Sequence, residues 1–417
     1  MQLKTILNRV APNKGFVFGA IRFVEAAERL TLEVEIRARA NSSPICSGCG
    51  RKCPGYDRLA ERRFEFIPFW GILVFFVYAL RRVQCPRCGV KVEQVPWAEG
   101  KHQLTIAYSW FLAGWAKRLS WSEAAQAFRT TWYHVFCSVD MAVRWGRAHM
   151  NLEGVTAIGV DEMHWGRGQQ YLTVVYQIND GCKRLLWVGP HRTVKTLLRF
   201  FRWLGRERSA RLEFVCSDMW QPYLKVIAKK AKDAIHILDR FHIVSHLSKA
   251  VDEVRAAEAK KMKAQGMEPV LINSRWCLLK RVENLTERQM DKLNDLLRLN
   301  LVTVRAYLLK EQLNQFWDYV SPHWAGVFLD NWCTQAMRSR IRPMKTVARM
   351  LRRHRDLILN WFRAKKQFSC GVVEGLNNKA KVITRKAYGF GTFYALQTAL
   401  YHGLGDLPTP QFTHEFF

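Results

Sequence analysis

The chain has 417 residues, enough for two or three domains, and with 49% hydrophobic residues it is not a disordered polymer. Lys and Arg number 65 against 35 Asp and Glu, a formal net charge of +30. Such a field selects a polyanionic partner, nucleic acid before an anionic membrane surface, for which no lipidation motif speaks.

The first residues, MQLKTILNRVAPNKG, lack the apolar core and small-residue cleavage site of a secretory signal. A cytosolic protein is expected, with its cysteines as thiols or metal ligands. Residues 1–40 read as a strand-rich lead-in, because RLTLEVEIRA alternates with period two. The run FIPFWGILVFFVYAL, from Phe66 to Leu80, mimics a membrane span. It is too short, and Pro68 and Gly71 interrupt it, so buried strands are expected.

Two knuckles flank that run, CSGC (Cys46, Cys49) and CPRC (Cys85, Cys88). Each places two thiolates on one tight turn, and two such turns fit a structural, tetrahedral zinc site. The plainer alternative, free buried cysteines, fits poorly with the flanking Gly48, Gly50, Pro86 and Gly89. Cys53 is a rival fourth ligand.

From Thr105 to Met150 the period becomes helical. Ser120 and Glu123 have capping-box spacing, Arg129 to Trp132 would turn, and a second helix would run to about Gly146. This is a helix-turn-helix candidate whose second helix presents Tyr133, His134 and Arg144 to DNA; an ordinary helical hairpin is the competing reading.

Strands follow. VTAIGVD ends in Asp161, YLTVVYQI leads to the hairpin signal Asn179-Asp180-Gly181, and KRLLWVG completes the pair. A helix with Val194, Leu197, Leu198, Phe201 and Leu204 on one face stops at Gly205. LEFVCSD ends in Asp218, a short helix follows, and AIHIL ends in Asp239. This alternation predicts a mixed α/β sheet. Beyond Phe241 the chain reads as helical for over a hundred residues, with Leu293, Leu296, Leu297, Leu301, Val304 and Leu308 in one period. The basic cluster from Arg338 to Arg355 is either a solvated helix face or a phosphate contact.

The last informative stretch is GVVEGLNNKAKVITRKAYGF, Gly371 to Phe390, with Glu374 alone among four basic residues. A carboxylate beside phosphate needs a cation between them. Asp161 and Asp218 at neighbouring strand ends, joined by Glu374, would hold magnesium for in-line displacement at phosphorus. A single strand-end Asp is more often a turn former or cap, and Glu162 and Asp239 are rivals for a coordinating role.

Together, CSGC…CPRC, the helical pair, GVDE, CSDMWQPY, DRFHIVSHL and VEGLNNKAKVITRKAYGF resemble the ISL-three family of bacterial insertion-sequence transposases, over nearly the whole chain. The resemblance implies an α/β plus α protein. A ribonuclease-H-like mixed sheet with a long helical insertion follows a zinc ribbon and a helix-turn-helix. The implied domains are N-terminal strands and zinc ribbon (1–100), helix-turn-helix (101–152), first part of the catalytic core (153–242), helical insertion (243–368), core helix with the third acid (369–404) and tail (405–417).

It further implies that Asp161, Asp218 and Glu374 are catalytic and bind two magnesium or manganese ions. Asp239 and His242 of DRFH support them, and Asn377, Asn378, Lys379, Lys381, Arg385 and Lys386 lie along DNA. The expected activity is binding of an element's terminal inverted repeats, then metal-dependent strand cleavage and strand transfer to target DNA. A homodimer or larger assembly on DNA, in the bacterial cytoplasm and nucleoid, goes with it. The rivals are a zinc-dependent DNA-binding regulator and a nuclease or resolvase that cuts without joining.

Overall fold

The structure is a computed structural model that describes residues 3–26, 29–166, 170–368 and 371–411. The chain divides into two compact units, residues 1–151 with 380–417, and residues 152–379.

The first unit opens with a helix that period-two reading missed, α1 (Leu3–Val10), which buries Leu7 in the sheet's core. The sheet contains β1 (Phe16–Ala26), β2 (Arg29–Ala38), β3 (Gly55–Phe69), β4 (Ile72–Cys85) and β5 (Gly89–Val92). Its order is β1-β2-β4-β3, with β5 paired to β4; β2 and β4 run parallel and the other neighbours antiparallel. The apolar run is a hairpin. Trp70 and Gly71 turn with positive φ between the paired Phe69 and Ile72, and the alternate residues Phe64, Phe66, Val74 and Phe76 fill the core.

Three helices follow, α2 (Ile106–Trp115), α3 (Trp121–Ala127) and α4 (Trp132–Ala148). Ser120 and Glu123 do form a capping box at α3, with bonds of 3.2 and 2.7 Å. The turn is shifted from expectation. Thr131 accepts the His134 N–H and caps α4, so Trp132 is already helical, and α4 extends past Gly146.

The second unit is built on β6 (Ala157–His164), β7 (Tyr171–Asn179) and β8 (Cys182–Pro190), then α5 (Val194–Leu204), α6 (Arg206–Ala210), β9 (Phe214–Ser217), α7 (Gln221–Lys230) and β10 (Ile235–Leu238). The order is β10-β9-β6-β7-β8; β10, β9 and β6 are parallel and the β6–β7–β8 meander is antiparallel. Asp180 and Gly181 turn between the paired Asn179 and Cys182, as the sequence signals.

The helical segment contains α8 (Arg240–Ala264), α9 (Arg275–Leu279), α10 (Glu287–Leu297), α11 (Val302–Asn314), α12 (Pro322–Arg338), α13 (Arg342–Arg353) and α14 (Arg355–Arg363). The leucine period read from Leu293 to Leu308 crosses a break. α10 stops at Leu297, Leu301 precedes α11, and Leu297 and Leu308 are exposed. Glu258 fixes that break by accepting the Val302 and Thr303 N–H groups at 2.9 and 2.7 Å, which satisfies the open start of α11. Asn360 of α14 donates to the His236 carbonyl of β10 at 2.7 Å, tying this segment to the sheet.

Helix α15 (Gly371–Lys386) carries the chain from the second unit back to the first, where α16 (Phe393–Leu404) lies against α4. No helix among the described residues is long and apolar enough to cross a membrane.

Candidate active site

Sheet register brings the first acids together. Val160 of β6 pairs with Ser217 of β9, and Ser217 pairs with Leu238 of β10. Asp161, Asp218 and Asp239 each follow a member of this row, so three carboxylates leave one edge of three parallel strands. Asp161 is not a strand terminus. Pairing to β9 stops at Val160, but β6 continues to His164 against β7, so Asp161 keeps strand backbone on one side and an open edge on the other.

Asp239 caps α8 by accepting the Phe241 N–H at 2.8 Å, and His242 Nε2 lies 3.7 Å from its carboxylate. Trp220 N–H donates to Asp218 Oδ1 at 3.1 Å. Glu162 N–H donates to Asp161 Oδ1 at 2.8 Å.

The fourth acid arrives on α15. A side chain at Gly159 would overlap Val373, so the bare backbone of β6 is what lets this helix lie close. One turn beyond Val373, the Asn377 amide Nδ2 donates to Asp161 Oδ2 at 2.6 Å, while its Oδ1 accepts from the buried Tyr176 hydroxyl at 2.8 Å. Asn377 is only 7% exposed and its amide bonds on both sides, so the structure places it behind Asp161, whereas the sequence suggested a position along DNA. Glu374 is exposed, has no hydrogen bond or ion pair among the described residues, and is near enough to raise the Asp239 carboxyl.

Charge balance at this edge is poor. Burial, with Asp218 and Asp239 adding to it, pushes the Asp161 carboxyl up to about 6 against the pull of the Glu162 N–H and His242. Burial, then Asp218, pushes Glu162 up to about 7 although Arg192 opposes it. Burial also raises Asp239, helped by Glu374 and Asp218. Crowded carboxylates that resist ionisation are what a divalent cation relieves, and oxygen donors of this kind suit magnesium or manganese.

Sequence reading did not single out Arg192. Its guanidinium bridges Glu162 (2.9 Å) and Asp218 (2.7 Å) and lies 4.5 Å over the Trp220 ring. A lone arginine in HRT carries no periodic or motif signal, and only the fold brings it to the acids.

In the first unit, the ligand atoms of Cys46, Cys49, Cys85 and Cys88 lie within 4.8 Å of one another, compatible with zinc. Gly50 and Gly89, each just after a knuckle's second cysteine, have φ of +71° and +70°, the conformation that turns each loop back. The N–H groups of Arg87 and Cys88 pull the Cys85 thiol down to about 6, whereas burial and its sulfur neighbours push Cys88 up to about 12. Four sulfurs gathered this closely suit a single tetrahedral cation. Cys53 lies beside the group but outside it, its thiol 3.6 Å from the Arg51 carbonyl and pushed up to about 11, first by burial.

The remaining expected DNA contacts differ in placement. Tyr133 is exposed on α4. His134 is half-buried, its Nδ1 is 3.0 Å from the Thr130 hydroxyl, and burial lowers its pKa, which disfavours a charged phosphate contact. Arg144 is exposed and paired with Asp140 at 3.0 Å. Asn378, Lys379, Lys381, Arg385 and Lys386 are exposed, and Lys386 donates to the Arg118 carbonyl. In the basic cluster, Arg355 pairs with Asp330 through two bonds of 2.9 Å, while Arg338, Arg340, Arg342, Arg349, Arg352 and Arg353 are exposed.

A family model described as transposase, of the DDE-type ISL3 group, matches residues 158–400. The chain is 31% identical over 415 residues to the transposase for insertion sequence element IS1557 of Mycobacterium tuberculosis, covering 92% of this chain and 91% of that one. It is 27% identical over 363 residues to the transposase for insertion sequence element IS1001 of Bordetella parapertussis, covering 86% and 88%.

Proposed function

The chain belongs to the ISL-three family of insertion-sequence transposases, and from that premise we propose that Asp161, Asp218 and Glu374 are its catalytic acids on a ribonuclease-H-like core. The observation that carries the reading is the row of Val160, Ser217 and Leu238, each followed by an aspartate, with Asn377 of the Glu374 helix bonded to the first. The strand order β10-β9-β6-β7-β8, parallel then antiparallel, supports the ribonuclease-H-like assignment.

Asp161, Asp218 and Glu374 would hold two magnesium or manganese ions, with Asp239 and His242 beside them. When bound, these ions neutralise phosphate charge and favour a deprotonated nucleophile. The protein's own part is geometric. Asn377 and the Glu162 N–H fix both oxygens of Asp161, and the Trp220 N–H fixes Asp218, so the acids need little reordering on loading. Glu374, Asn378, Lys381 and Arg385 recur at helical spacing, which sets one acid in line with phosphate-binding groups.

The four-cysteine site would hold structural zinc, and α3 and α4 with Tyr133 and Arg144 would contact the element's inverted ends. Strand cleavage frees a 3′ hydroxyl, and strand transfer directs it onto target DNA. Two ends must be joined, so a dimer or larger assembly on the bacterial nucleoid goes with the reading.

The test uses purified protein and a Glu374→Gln variant on labelled duplex carrying the element's ends, with magnesium or chelator. Metal-dependent nicking lost in the variant, and joining of donor ends to a second duplex, are expected. Nicking without joining would favour a resolvase or nuclease. Equal binding and no cleavage by either protein would favour a regulator.

A further inference from the structure

Arg192 occupies the place where a metal would compete for Asp218. Its Nη2 takes Asp218 Oδ2 at 2.7 Å while the Trp220 N–H takes Oδ1 at 3.1 Å, so both oxygens of this carboxylate are engaged. The guanidinium is not a finished structural ion pair. Among the described residues its Nε, which is buried, finds no hydrogen-bond partner, and neither does the buried Glu162 Oε2. An optimised buried pair would satisfy both atoms.

The segment that presents it is held under strain. His191, the preceding residue, has φ +67° in a non-glycine position. It is locked there by its N–H to the Tyr171 carbonyl at 2.8 Å and by the Thr173 hydroxyl on its own carbonyl at 2.8 Å. Immediately after Arg192, Thr193 caps α5. The backbone is thus fixed at both sides of a side chain that stays 27% exposed.

We propose that Arg192 is a positioning residue that holds Asp218 in the DNA-free protein and gives it up to a divalent metal when a DNA phosphate engages the guanidinium. A guanidinium and a divalent cation on one carboxylate repel each other, and a phosphate between them removes the conflict. The planar fork of arginine matches a phosphate oxygen pair, which its partly exposed guanidinium can meet. Glu162 and the Trp220 ring keep the group tethered at the site during the exchange. Metal loading and DNA binding are thereby coupled, each tightening the other by the same factor.

The inference rests on the reading of Asp161 and Asp218 as metal ligands, and the experiment separates the two. Free manganese is followed by electron paramagnetic resonance during titration of zinc-loaded full-length protein, with and without a duplex of arbitrary sequence. Wild type, Arg192→Gln, Arg192→Lys and Asp161→Asn are compared, with folding of each checked by circular dichroism. We expect DNA to tighten manganese binding to wild type. Arg192→Gln is expected to bind manganese roughly tenfold more tightly without DNA and to lose most of the DNA effect. Arg192→Lys, which cannot span both carboxylates and the ring, should fall between them. Unchanged or weaker DNA-free binding in Arg192→Gln, with binding still lost in Asp161→Asn, overturns the role of Arg192 alone. Binding unaffected by Asp161→Asn overturns the metal site and this inference with it.

Discussion

Asn377 and Asp161 are 216 positions apart and meet at 2.6 Å. The same amide is held from behind by Tyr176. The orientation of the first acid is therefore set by the helix that delivers the last one, since Glu374 lies one turn before Asn377.

Replacing Asn377 by Ala frees one oxygen of Asp161 and strands the buried Tyr176 hydroxyl. Loss of a ligand's hydrogen-bonding partner typically costs roughly 10- to 100-fold in metal affinity or rate. Nicking and manganese affinity should both fall by about that factor, with stability reduced by about 1–3 kcal/mol. A rate equal to wild type would show that Asp161 needs no brace.

Gly159→Ala should unseat α15, because the added methyl meets Val373. A clash of this kind costs about 1–3 kcal/mol when the neighbour cannot move. Cleavage should drop, and Val373→Ala in the same chain should restore much of it. The double variant is the decisive measurement; no recovery there would mean that contact does not set the helix position.

Glu162 gives a pH signature. Its folded-state pKa is raised to about 7, first by burial and then by Asp218. A raised carboxyl favours the folded state while protonated. That contribution is complete below the unfolded-state value and is lost as pH climbs through about 7. Glu162→Gln removes the titration. In chelator, its melting temperature relative to wild type should rise by a few degrees between about pH 5 and pH 8. A pH-independent difference would contradict a buried, ionising Glu162.

Zinc should be bound at about one ion per chain, with loss on Cys46→Ser or Cys85→Ser. Cys53→Ser should retain the ion, since its thiol stands outside the four-sulfur group. Atomic absorption on the purified variants decides it, and zinc-free Cys53→Ser protein would reassign the ligand set.

Local chemistry made much of this legible in sequence. The knuckle glycines, the Ser120 capping box, the Asp180-Gly181 hairpin and the strands leading to Asp218 and Asp239 depend on neighbours in the chain. What escaped depends on distant ones. Asp161 sits inside β6 because β7 pairs beyond it, which an apolar run cannot foretell. Asn377 looks like a solvated helix residue until β6 is placed against it. Arg192 acquires a role only when two carboxylates from separate strands converge on it. The break between α10 and α11 is imposed by Glu258, more than thirty residues earlier, against a leucine pattern that runs through it.

Helix α15 belongs to both compact units, residues 371–379 to one and 380–386 to the other, and α16 then completes the first. During synthesis the cysteine knuckles and the strands leading to three aspartates leave the ribosome before the residues that finish each unit. A nascent chain halted before Gly371 has neither Glu374 nor the brace on Asp161. One continuous helix is thus shared by both units, so a break within it would cost each of them part of its closing segment.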